Sequence, residues 1–152
     1  MNQAEILKLL WEALLAGTAT TCFALVFAVP KREYFSCGLV GAVGWAAYGL
    51  AIQFGQGPAL ASLIATIPLA ALARFFAIQH KAPVTIFLIS GIFPLVPGAG
   101  IYYTAYYFIM NDPMLAQKGM QTLQIALAIA LGMTIVMGMP LPKPKPKKKS
   151  DA

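Results

Sequence analysis

Ionisable side chains are scarce in this chain. Five are Asp or Glu, one is His, and charged residues make up 11% of 152, against about a quarter in a soluble domain. With 59% hydrophobic residues and a mean hydropathy of +0.73, polar side chains are too few to cover a water-facing surface. That excludes an ordinary soluble enzyme and a disordered chain, and leaves a polytopic membrane protein. The same scarcity argues against catalysis. No pair of carboxylates shares a face, no Ser/His/Asp set can be drawn and no metal-ligand spacing exists. Neither a catalytic residue, a metal nor a cofactor is therefore expected. His80, beside Lys81 at the edge of an apolar run, reads as an interfacial residue rather than a base. Cysteine is equally thin: Cys22 lies within one apolar run and Cys37 at the start of the next. Those depths do not suit a disulfide, and both read as small buried hydrophobes.

The net charge of +6 suggests nucleic-acid binding only until it is located. Five of the eleven basic residues, Lys143, Lys145, Lys147, Lys148 and Lys149, sit in a Pro/Lys-alternating tail. The expected organisation is a single transmembrane domain over residues 1–139 and a basic tail over 140–152, with no nucleic acid as partner. Such a tail suits anionic lipid headgroups.

A span needs about 20 apolar residues to cross a core of ~30 Å. Runs of that order lie at Leu9–Val29, Phe35–Ile52, Ala59–Ile78, Val84–Met110 and Met120–Met139. The first is read as a retained helix, because Glu5 and Glu12 offset Lys8 and the basic residues follow the run instead of preceding it. The expected fold is therefore all-α, with about five transmembrane helices and the fourth broken at Pro94–Gly100. Lys and Arg favour the cytoplasmic side. Five spans with the N-terminus outside put nine basic residues inside and only Lys8 and Lys118 outside. Folding the fourth run back as a re-entrant hairpin would put the tail outside and leave five inside against six outside. The expected location is the cell (inner) membrane, N-terminus outside and C-terminus cytoplasmic.

The segment Gly91–Tyr102 carries the sharpest signal. Pro94 and Pro97 each remove a backbone donor and clash with the preceding turn, and Gly98 and Gly100 add backbone freedom. Irregular backbone at membrane depth survives only where protein buries it or it lines a watery cavity. In transporters, half-helix N-termini at such breaks point N–H groups at anionic substrates. Tyr102, a turn beyond the break, and Ser62 and Thr66, just before Pro68, are candidates for the same site. Arg74 either snorkels to the cytoplasmic surface or faces an anionic substrate near the inner mouth. Gly38, Gly41, Ala42, Gly44, Ala46 and Gly49 form a small-residue surface that reads as helix packing.

Phe23–Pro30, Cys37–Gly41 and Pro94–Gly98 with Tyr102 resemble the threonine/serine exporter family. The resemblance is to its C-terminal membrane half, which also occurs as a separate small subunit, and it covers nearly the whole chain up to the tail. One departure is Ala28, where members of that family have Asn. The resemblance implies export of threonine and serine, or of a small dicarboxylate such as succinate. It also implies a larger partner membrane subunit equivalent to the N-terminal half, within an oligomeric assembly. No intramembrane acid for proton coupling is evident, so the coupling group is expected on the partner. The rival readings are a non-transporting structural or assembly subunit, and an integral-membrane enzyme, which the missing acid/base set disfavours.

Overall fold

The computed structural model describes residues 3–140; the tail beyond lies outside the described residues. Six helices account for nearly all of the described chain: α1 (Gln3–Val26), α2 (Tyr34–Gln53), α3 (Pro58–His80), α4 (Val84–Ile92), α5 (Gly98–Ile109) and α6 (Leu115–Gly138). A 3-10 turn at Lys31–Glu33 leads into α2, and another at Phe93–Leu95 continues α4. No strand occurs among the described residues, and α1, α2, α3 and α6 are each long and apolar enough to cross a membrane. Helices suit these sequences because hydrocarbon offers backbone groups no outside partner.

The helix ends repeat one device. Ala28, Gly55, Lys81 and Asn111 take left-handed φ values of 52°, 80°, 53° and 53° just past α1, α2, α3 and α5. In each case the next N–H reaches back five residues, as in Val29 N–H to Ala24 O at 3.0 Å and Ala82 N–H to Ala77 O at 3.0 Å. Gly and Asn adopt this conformation readily, whereas Ala does so at a cost of roughly 1–2 kcal/mol. Asn at position 28 would therefore serve the backbone as well as any polar contact. Ala28→Asn and Ala28→Gly should each stabilise the protein by about 1 kcal/mol. Thermal unfolding in detergent checks this, and a fall in Tm for both variants would contradict it.

Small residues set the spacing inside the bundle, as expected from α2. A Cβ added at Gly38 would stand 2.6 Å from Thr21 Oγ1 on α1, and one at Gly44 would stand 2.6 Å from Leu69 Cδ1 on α3. A Cβ at Gly132 on α6 would stand 2.9 Å from Thr66 Cβ. Buried hydroxyls are spent on their own helices: Thr20, Ser62, Thr66 and Ser90 donate to carbonyls four residues back at 2.7–2.8 Å. Cys22 corrects the sequence reading. It is exposed on the outside of α1, whereas Cys37 is buried, and both are free.

The register of α6 against α3 decides the topology. Gly132 meets Thr66 near mid-helix, and the end of α6 meets Arg74 further along α3. The two helices therefore run parallel. The chain leaves α3 at one end of the bundle and enters α6 at the other, so α4 and α5 together must cross between them. They meet at a bend of 56°. Two segments of about 18 Å joined at that angle still advance roughly 28 Å, close to a membrane core. The fourth span is broken, as expected, and is not a re-entrant hairpin.

Candidate functional site

The break interrupts the helix after Leu95, passes through Val96 and Pro97 in non-helical conformations, and restarts at Gly98. Pro97 cannot donate to the preceding turn. Gly98 N–H turns back to Val96 O at 2.7 Å, and Ile101 N–H closes the first turn of α5 on Pro97 O at 2.9 Å. Between these, the N–H groups of Ala99 and Gly100 belong to a first turn, which has no carbonyl a turn earlier to bond.

Beside this restart is a cavity of about 270 Å³. Pro94 to Ala99 form one wall; Trp45 and Tyr48 on α2, Ser62 on α3 and Ile125 on α6 form the others. Its volume falls just below the ~300–1,000 Å³ of drug-sized pockets, which suits a small metabolite. The aromatic wall is braced. The Trp45 and Tyr48 rings lie 5.5 Å apart, and the Trp45 indole N–H donates to Glu12 Oε2 on α1 at 3.4 Å.

The expected site residues divide. Pro94, Pro97, Gly98 and Ser62 meet at the cavity. Gly98 has nothing within 4 Å of an added Cβ, so it marks open space. Gly100 instead faces α6, where a Cβ would stand 2.5 Å from Thr122 Oγ1. Thr66 is fully buried between α3 and Gly132. Tyr102 is exposed on α5 and stacks on Tyr106 at 6.5 Å, outside the cavity. Trp45 and Tyr48 join the cavity without having been expected there; the signal in the sequence is a pair of aromatics three apart, hence on one face, among the small residues Gly44, Ala46, Ala47 and Gly49.

Arg74 lies about 18 Å further along α3 from Ser62, 12 positions on in the chain. Its guanidinium donates to Val136 O and, at 2.7 Å, to Met139 O. A cation there meets the last-turn carbonyls and negative end of α6. Arg74 also lines a separate cavity of about 370 Å³ with Ala77, Ala82 and Val84. One residue thus fastens α6 to α3 and presents charge at the bundle end that also carries Lys31, Arg32 and Lys81. A larger groove of about 830 Å³ between α5 and α6 has an almost wholly apolar lining, with Thr104 and Thr122 contributing its few hydroxyls. Both hydroxyls bond their own helices, at 2.7 and 2.8 Å, so the groove suits acyl chains better than a hydrophilic solute.

At the Arg74 end the sequence reading missed a buried acid. Glu33 is 1% exposed. Its Oε2 is paired with His80 Nδ1, and its Oε1 with Arg32 Nε at 3.0 Å. His80, expected to be merely interfacial, is bound to a carboxylate. Among the described residues no group of three or more His, Cys, Asp or Glu is placed to hold a metal ion.

The family pattern for "Threonine/Serine exporter, ThrE" matches residues 12–139. A curated relative from Haemophilus influenzae, named "Uncharacterized protein", is 29% identical over 97 residues. The match covers 64% of this chain and 33% of that protein, so the chain spans about a third of the relative's length. No solved structure matches. The pattern runs from within α1 through the break to the end of α6, and the chain belongs to the threonine/serine exporter family as a multi-pass membrane protein.

Proposed function

We propose, from this membership and the break cavity, that the chain is the membrane subunit of a small-metabolite exporter. It moves threonine and serine, or a small dicarboxylate such as succinate, and works with a larger partner membrane subunit. The observation that carries the reading is the restart of α5 at Gly98 beside a small cavity inside a membrane span. A helix N-terminus carries roughly +0.5 of a charge and suits a carboxylate, which all three substrates possess. Ser62, Trp45 and Tyr48 line the space where the rest of the substrate would sit. Two thirds of the Haemophilus influenzae relative lies outside the match, which leaves room for a second component.

In this reading the end carrying Lys31, Arg32, Arg74 and Lys81 faces the cytoplasm, the N-terminus lies outside, and the lysine tail meets anionic lipid on the inner face. Arg74 then stands at the entry side, and the break cavity lies deeper along α3. Efflux of labelled threonine, serine and succinate from loaded cells, with and without the chain, tests the proposal. Faster efflux of at least one is expected. Unchanged efflux of all three, with the chain and its partner present in the membrane, would contradict it.

A further inference from the structure

We infer that Glu33 and His80 form a proton-operated latch that ties α2 to α3 at one end of the helix bundle. Glu33 stands on the turn entering α2, and His80 is the last residue of α3. The pair is separated by 47 residues in sequence, so it ties two spans together. The Glu33 side chain is 2% exposed, whereas that of His80 is 27% exposed. The carboxylate is thus withdrawn from water and its partner stays in reach of protons. Arg32 and His80 share this buried carboxylate, and loss of either partner weakens its compensation. Histidine is the side chain whose charge changes near neutral pH.

The neighbouring elements bring no second acid to the pair. The turn contributes Lys31 and Arg32, and Arg32 holds the other Glu33 oxygen. Beyond these, α2 contributes Tyr34 and Cys37, Lys81 follows α3, and α4 has no titratable residue. Around the latch the packing is apolar: the His80 ring lies 5.6 Å from that of Phe76 and 6.2 Å from that of Phe87 on α4. Loss of the proton from His80, or gain of one by Glu33, weakens the tie between α2 and α3, because Arg32 stands on the same turn as Glu33 and does not bridge the two spans. The latch depends on the exporter reading only for which membrane face it guards.

Cys37 reports on the latch without any transport measurement. It lies one turn beyond Glu33, is fully buried, and its thiol reaches Ile86 O on α4 at 3.7 Å. In membranes carrying the full chain with Cys22→Ala, maleimide labelling of Cys37 should vary with pH between about 5 and 8. Rates are referred to free cysteine at each pH. Labelling should be slowest where both partners are charged. Glu33→Gln and His80→Gln should each label about tenfold faster at that minimum and lose the pH dependence, as removal of a charge-assisted bond implies. His80→Gln is the milder change and guards against misfolding of the Glu33 variant. Wild-type labelling that is flat with pH, or variants that keep the wild-type profile, would overturn the latch. Neither outcome depends on whether the break cavity binds substrate.

Discussion

Export by a Gly98→Val variant should fall about tenfold or more for threonine, serine and succinate alike, a loss equivalent to about 1.4 kcal/mol. Gly98 lines the break cavity, and nothing lies within 4 Å of a Cβ built there. The extra side chain would enter the cavity instead of pushing helices apart, so the protein should still assemble. All substrates suffer because the α5 N-terminus sees the carboxylate they share. Tyr48→Phe, which removes one hydroxyl from the opposite wall, should instead alter the ranking among them. Gly100→Val is the contrasting case. Its Cβ would meet Thr122, so it should lower the amount of folded protein along with export. Efflux normalised to protein in the membrane separates these outcomes. If Gly98→Val assembled and exported every substrate at the wild-type rate, the break would be only a kink.

Expressed without a partner, the chain should export at the background rate. The break cavity and the Arg74 cavity lie about 18 Å apart along α3. Between them α3 buries Ala65, Leu69, Ala70 and Ala73 against its neighbours. Ser62 and Thr66 turn their hydroxyls back to their own helix, so few polar groups remain to line a path. A second set of helices must supply the rest. Reconstitution compares the chain alone with the chain plus a candidate larger subunit, such as the product of a neighbouring reading frame. Robust efflux from vesicles holding only this chain would refute the two-subunit reading and favour a homo-oligomer.

The spans and the break were legible because their causes are local. Twenty apolar residues make a span wherever they fall, and Pro94 and Pro97 interrupt a helix whatever surrounds them. What surrounds a residue was not legible. Nothing in the local sequence marks Glu33, and only the return of α3 brings His80 onto it and buries it. Tyr102 was misplaced for a related reason. Gly100 and Thr104 turn to Thr122 on α6, and that choice of face sends Tyr102 outward. Arg74 was seen as charge but not as the clamp on α6, since the carbonyls it holds are 62 and 65 residues away.

The central claim is that substrate carboxylates bind at the restart of α5. Gly98→Cys places a thiol there with room for it, and Cys22→Ala with Cys37→Ala removes the background. The measurement is the labelling rate of that thiol in membranes holding the chain and its partner, with and without threonine, serine or succinate. The account predicts that at least one of these slows labelling in proportion to its occupancy, and that threonine amide, which lacks the carboxylate, does not. Labelling unchanged by all three, in membranes whose wild-type counterpart exports them, would place the substrate elsewhere.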